Sequence, residues 1–131
     1  MTQNVNSQIE EARELFNKAF RLDSISKRNK FLNEGLEKFK EIEEREIDQK
    51  QKQKISNIKI AYSKELLRDL KPTPSVDDDM ITFMILFRLD SDFENTLKKY
   101  PDLKSNYKEF KESLHRAPEF HRIMAQLKKQ N

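Results

Sequence analysis

Two histidines and a run of three aspartates are the residues of this 131-residue chain that could do chemistry. His115 and His121 are six residues apart across Pro118, which does not match the three- or four-residue spacing of a helical metal site. Asp77, Asp78 and Asp79 are consecutive, so on a helix their side chains diverge by about 100° and cannot converge on one ion. We expect surface histidines, aspartates that stabilise a helix start, and no bound metal.

Composition excludes several other kinds of chemistry. The chain has no cysteine and a single glycine, Gly35, so thiol catalysis and glycine-rich phosphate loops are excluded. No serine lies in a nucleophile-elbow context with an imidazole partner. We therefore predict a protein that is not an enzyme, has no cofactor or small-molecule substrate, and works by binding.

The charge pattern gives one alternative binding function. Basic residues number 26 and acidic residues 23, a net charge of +3, so the charge excess is small although 37% of residues are charged. Four lysines, Lys50, Lys52, Lys54 and Lys59, lie close together and could contact phosphates. Nucleic-acid binding through these lysines remains an alternative, but a basic footprint needs clustered charge and not a small excess.

Apolar residues recur at spacings of three and four along most of the chain, which predicts helices. The pattern predicts a first helix from Ser7, then helices near residues 27–45, 53–70, 76–89, 93–100 and 102–115, and a last helix from Pro118. Ser7/Glu10, Ser75/Asp78 and Ser91/Glu94 have capping-box spacing. The polar stretch 46–54 is predicted as a helix end or connection. Gly35 in mid-helix is either tolerated or needed for close packing against the first helix.

Pro72 and Pro74 end the third predicted helix and mark the best candidate domain boundary. We predict an all-α fold: a three-helix antiparallel bundle in residues 1–72, followed in residues 75–131 by three to four shorter helices. These shorter helices either pack on the bundle or form a small second bundle.

The helix predicted at residues 76–89 is apolar nearly all round, so we expect it to be covered on most faces. On that basis Phe87→Ala should cost about 3 to 5 kcal/mol. Completing its burial across a dimer interface would make the chain a self-assembling structural or regulatory protein, which is a second alternative. Its apolar run, residues 80–87, is far shorter than the roughly 20 residues of a membrane span, so we expect a soluble, cytoplasmic protein with no transmembrane insertion.

Residues 9–70 resemble a known family. The stretch 12–23, ARELFNKAFRLD, looks like the first helix of microtubule-interacting and trafficking (MIT) domains, where an alanine recurs after seven residues and an apolar-apolar-Asp ending is common. Residues 31–37, FLNEGLE, are similar to that family's second helix, and residues 57–61, NIKIA, fall in the third. Tetratricopeptide-like helical hairpins share much of this pattern and remain an alternative.

The resemblance implies a function and a site. MIT domains hold a short amphipathic helix of a partner protein in a groove between helices, so the resemblance implies a helical adaptor in membrane trafficking or remodelling. Carried over by position, the partner-binding candidates lie on the second and third helices: Leu36, Phe39, Ile55, Ile58, Lys59 and Tyr62. Each of the apolar candidates could instead belong to the bundle's own core.

Overall fold

The computed structural model describes residues 4–130, except the side chains of Leu127, Lys129 and Gln130. The first three residues of the predicted N-terminal unit and the last residue of the C-terminal unit lie outside this range. Within it the chain forms seven helices and no strand, so the all-α class is confirmed. The helices are α1 (Val5–Ala19), α2 (Ile25–Glu43), α3 (Gln49–Arg68), α4 (Val76–Leu89), α5 (Phe93–Lys99), α6 (Pro101–His115) and α7 (Pro118–Gln130).

Helices α1 and α2 form an antiparallel hairpin. Lys38 Nζ lies 2.8 Å from Glu11 Oε2, and Arg45 Nη1 donates to Gln8 Oε1 at 2.6 Å, so late residues of α2 lie beside early residues of α1. After the short connection 44–48, α3 runs back along the pair. The first three helices therefore form the up-down-up arrangement that the sequence predicts.

Gly35 lies where α2 comes closest to α1. A Cβ at this position would lie 3.0 Å from the Phe16 Cζ atom and 3.1 and 3.2 Å from the two Cε atoms of that ring. The Phe16 ring is fully buried and stacks against Phe39 and Tyr62, with ring centroids 5.5 and 5.0 Å apart. This geometry supports close packing against the first helix as the explanation for glycine at this position.

Helix α4 packs against both α2 and α3 and joins the two halves of the chain. Its buried residues Ile85, Leu86 and Leu89 belong to the same core cluster as Leu36 and Phe39 of α2. The C-terminal helices are therefore packed on the three-helix bundle. The boundary at Pro72 and Pro74 coincides with the connection between α3 and α4, and the division into domains at residues 1–72 and 75–131 stays a prediction.

The contact between α2 and α4 contains a buried polar cluster, Arg28, Asn29 and Thr82. Thr82 Oγ1 accepts from Arg28 Nη2 at 3.1 Å and from Asn29 Nδ2 at 3.0 Å, and it donates to the Asp78 carbonyl at 3.0 Å. Arg28 also donates to Asn29 Oδ1 through Nε and Nη2. Burial lowers the pKa of Arg28 despite the opposing effects of Asp69, Asp79 and Asp78. A charged group is thus held in the interior by hydrogen bonds.

The opposite face of α4 is uncovered, and the expectation that this helix is enclosed on most faces is wrong. Ile81, Met84 and Phe87 are 38%, 50% and 43% exposed. Phe87 still contacts the rings of Phe83 and Phe93, each with a centroid distance of 5.0 Å. The physical reason is that α5, α6 and α7 pack mainly on one another, on α3 and on one side of α4, so they leave its outer face bare.

The predicted and observed helix boundaries agree best where prolines and a capping serine precede the helix. Helix α4 begins and ends where predicted, with the Ser75 hydroxyl accepting from the Asp78 amide. The predicted Ser7 and Ser91 caps are wrong: Asn4 caps α1, and α5 starts after Asp92 without a side-chain cap. Helix α3 starts earlier than predicted.

The early start of α3 has a local cause. Asp48 and Gln51 form a reciprocal capping box, with the Asp48 Oδ1 accepting from the Gln51 amide at 2.7 Å and the Gln51 Oε1 accepting from the Asp48 amide at 3.1 Å. Much of the polar stretch predicted as a connection is therefore the first turns of α3. None of the helices in the described part of the chain combines the length and apolar character needed to cross a membrane.

Candidate functional site

An open groove runs between α1 and α3. The two helices are parallel: Lys54 Nζ lies 3.4 Å from Glu10 Oε1 near one end, and the Tyr62 hydroxyl donates to Asn17 Oδ1 near the other. The groove has a volume of about 920 Å³. The groove is lined by two residues of α1, the cap of α3 and one face of α3. These residues are Asn6, Arg13, Asp48, Lys50, Gln51, Gln53, Lys54, Asn57, Ile58, Ala61, Tyr62 and Glu65.

The floor of the groove is apolar. Ile58 and Tyr62 are half-buried and Ala61 is exposed, so all three can be reached from outside. The Tyr62 ring stacks on Phe16 and on Phe20, with centroid distances of 5.0 and 5.9 Å. Burial raises the pKa of the Tyr62 hydroxyl, so this group is neutral at physiological pH. The floor is continuous with the core and is held rigidly by it.

The rim of the groove is charged. Arg13, Lys50 and Lys54 lie on it together with Asp48 and Glu65. Glu10 lies 3.7 Å from Arg13 Nη1 and 3.4 Å from Lys54 Nζ, and these side chains are about half exposed. Asp48 is engaged in capping α3, and Glu65 pairs with Arg68 at 3.2 Å. The rim therefore carries three cations against two carboxylates, and Lys50 forms no ion pair among residues 4–130 as the structure describes them.

The six predicted partner-binding residues do not lie together on one open surface. Leu36, Phe39 and Ile55 are buried in the core, and α4 packs across α2 and α3 where the predicted groove would be. Ile58 and Tyr62 instead line the groove between α1 and α3. A partner cannot contact the first three in this structure, because these side chains have almost no accessible surface.

Lys59, the charged member of the predicted set, faces away from the open groove. Its Nζ lies 2.7 Å from Glu43 Oε1 and 6.0 Å from the centroid of the Phe39 ring. Of the four lysines considered for nucleic acid, Lys50 and Lys54 line the α1–α3 groove, whereas Lys52 and Lys59 line a separate cleft beside the end of α4. The four do not form one basic surface.

Sequence reasoning missed Arg13, Asn57, Ala61 and Glu65 as groove residues. A signal for the α3 part exists: Lys54, Ile58, Ala61 and Glu65 recur at spacings of four, three and four, which places them on one stripe of the helix. Because the stripe mixes apolar and charged residues, its pattern predicts neither a buried helix face nor a fully solvated one. The Arg13 side of the groove depends on tertiary packing and has no local signal.

The side chains that could bind a metal or take part in catalysis do not lie together at one site. No group of three or more histidine, aspartate or glutamate side chains in residues 4–130 is arranged to hold a metal ion. Asp79 accepts from the Thr73 hydroxyl at 2.6 Å and from the Thr73 amide at 3.0 Å. His115 and His121 are exposed at the turn between α6 and α7, with ring centroids 5.7 Å apart.

Comparisons with protein-family models, with curated proteins and with solved structures found no significant match to this chain. The resemblance to MIT domains accordingly stays a prediction based on the residues quoted above.

Proposed function

We propose that this protein is a non-enzymatic helical adaptor that binds a short amphipathic helix of a partner protein in the groove between α1 and α3. The observation that carries the proposal is an open groove with an apolar floor, Ile58, Ala61 and Tyr62, beneath a charged rim. A role in membrane trafficking or remodelling follows only from the resemblance to MIT domains.

The shape of the groove favours a helical ligand. Along α3 the groove extends from Asp48 to Glu65, which corresponds to about 25 Å of helix at 1.5 Å per residue. A peptide helix of about 16 residues has this length, and an apolar stripe with anchors three or four residues apart would contact the floor. The flanking helices are parallel, so the groove is straight.

The charge of the rim favours an acidic ligand. Arg13 and Lys54 share Glu10, which is about half exposed and can be displaced as a partner at little cost. Lys50 is exposed and forms no ion pair within the described part of the chain. A peptide with carboxylates beside its apolar stripe would pair with these cations, and such pairs affect the association rate and specificity more than affinity.

The test uses three synthetic peptides of about 16 residues. The first is helical, with leucines at positions i, i+3, i+4 and i+7 and flanking glutamates; the second replaces the glutamates by lysines; the third carries a central proline that prevents helix formation. We expect the acidic helix to shift the amide signals of Ile58, Ala61 and Tyr62, the basic helix to bind more weakly, and the proline peptide not to bind.

A matched pair of variants locates the site. Ala61→Glu places a charge on the groove floor and should weaken binding of the acidic helix by about tenfold or more, equivalent to about 1.4 kcal/mol. Ala125→Glu makes the same change at an exposed alanine of α7 and should leave binding unchanged. Equal binding by both variants, or shifts confined to residues outside the groove, would refute the proposal.

A further inference from the structure

The outer face of α4 carries a second surface, separate from the groove. Residues Asp77, Ile81, Met84 and Arg88 are all exposed and are spaced four, three and four residues apart. This spacing keeps them on one stripe of the helix, about 16 Å long. Phe87 lies at the edge of the stripe and is 43% exposed. We call these five residues the α4 stripe.

The order of residues along the α4 stripe is self-complementary. The acid Asp77 lies at its N-terminal end and the cation Arg88 at its C-terminal end. The apolar side chains of Ile81 and Met84 lie between them, with Phe87 at the edge. When two copies of α4 pack antiparallel, Asp77 of each copy faces Arg88 of the other, and Ile81 faces Met84. A parallel arrangement would instead bring like charges together, so the charge pattern selects the antiparallel one.

We infer that the α4 stripe binds a second copy of this chain through an antiparallel, two-fold symmetric α4–α4 contact. Such a contact is isologous, since the same surface is used by both subunits. The antiparallel orientation also places each helix N-terminus beside the C-terminus of the other, which the helix dipoles favour. The apolar residues that the C-terminal helices leave uncovered are then covered by the partner.

The surroundings of α4 hold the stripe ready for this contact. Arg88 is fixed by α2, with Nη2 2.7 Å from Glu37 Oε1 and Nη1 3.1 Å from Asn33 Oδ1. Its guanidinium has further N–H groups for a carboxylate of the second copy. The Phe87 ring is held edge-on against Phe83 and Phe93. Arg88 and Phe87 therefore lose little side-chain freedom on association.

One helix face from each subunit makes a small interface, so we expect a weak dimer. Sedimentation equilibrium should give the monomer mass of 15.7 kDa at about 10 μM and a weight-average mass rising toward twice that value at about 1 mM. A monomer mass throughout this range would overturn the proposal and leave the α4 stripe to another kind of partner.

Three variants test which residues are involved. Met84→Asp should abolish association, because it places two like charges near the centre of an apolar contact. Asp77→Lys and Arg88→Glu should each weaken self-association, because each places two like-charged pairs across the two-fold axis. Circular dichroism and the unfolding midpoint of each variant establish that it folds. Association that survives Met84→Asp would show that another surface is used.

Mixing the two charge variants tests the antiparallel pairing. In a mixed dimer the new lysine faces the new glutamate, and the remaining Arg88 faces the remaining Asp77, so both pairs are opposite in charge. We expect the equimolar mixture to associate about tenfold more tightly than either variant alone. A mixture no tighter than its components would refute this pairing. Ala61→Glu in the groove should leave self-association unchanged, which separates this proposal from the peptide-binding one.

Discussion

Helix α2 makes two large contacts, and their chemistry is opposite. Toward α1 it presents Gly35, and the buried ring of Phe16 lies directly on its backbone. Toward α4 it presents Arg28 and Asn29, whose side chains converge on Thr82. The buried part of the first contact is apolar and its polar contacts are exposed, whereas the second contains hydrogen bonds between buried side chains.

The difference between the two contacts is explained by how each helix is positioned on α2. Neighbouring helices joined by a short turn are placed largely by the turn itself, so tight packing is sufficient to fix α1 on α2. Helix α4 is placed by no such turn, and an apolar surface tolerates repacking with small loss. Buried polar groups that must find their partners penalise every other register. We interpret the Arg28, Asn29 and Thr82 cluster as the feature that fixes how α4 sits on α2.

The largest expected loss of stability comes from a substitution in the contact between α1 and α2. Phe16→Ala should lower the unfolding free energy by about 3 to 5 kcal/mol, because it removes a fully buried ring that stacks on two others. Denaturant unfolding measures the loss. The control is Phe87→Ala on α4: because this side chain is 43% exposed, the loss of about 3 to 5 kcal/mol expected for a buried aromatic no longer applies, and the variant should cost only about 1 kcal/mol. Similar losses for the two variants would mean that Phe87 is buried in solution.

An intermediate effect is expected on the α4 side. Thr82→Val keeps the shape of the side chain but removes the acceptor for Arg28 and Asn29, and should cost about 1 to 3 kcal/mol. Thr96→Val is the matched control, since its hydroxyl donates to Asp90 at 3.2 Å in a half-buried position. A Thr82→Val protein as stable as the control would show that the polar cluster does not specify the contact.

The smallest effect concerns Gly35. Alanine gains about 1 kcal/mol of helix propensity, but its Cβ would press on the Phe16 ring, and overpacking costs about 1 to 3 kcal/mol. We expect Gly35→Ala to destabilise by about 1 kcal/mol. In a Phe16→Leu background the same change should be neutral or stabilising, and the double-mutant cycle measures this coupling. A Gly35→Ala protein more stable than the wild type would contradict the packing argument.

The sequence predicted the helices well where the signals are local. Pro72, Pro74 and Ser75 frame the start of α4, and both of its boundaries match the prediction. The capping boxes predicted at Ser7 and Ser91 failed because glutamate is frequent in this chain, and serine followed by glutamate arises often without a helix start. Asp48 and Gln51 form a true capping box, but its cap residue is an aspartate, whereas all three predicted boxes begin with a serine.

The candidate site was predicted only in part. Ile58 and Tyr62 were identified and line the open groove, but Leu36, Phe39 and Ile55 were assigned to a partner-binding groove and lie buried in the core. Periodicity identifies the apolar face of a helix and cannot tell which neighbour covers it. The same limit explains Phe87: an apolar residue on a nearly all-apolar helix carries no local sign of exposure.

The Arg28–Thr82 hydrogen bond is a long-range contact, and from it we expect a particular order of folding. It joins residues 54 positions apart, whereas α1 and α2 are neighbours in sequence. Closing a long loop costs more conformational entropy than pairing adjacent helices, so we expect the α1–α2 hairpin to form early and α4 to dock later. We expect opening to follow the reverse path, so that the amide protons of α4 exchange with solvent through detachment of the C-terminal helices while those of the α1–α2 hairpin stay protected.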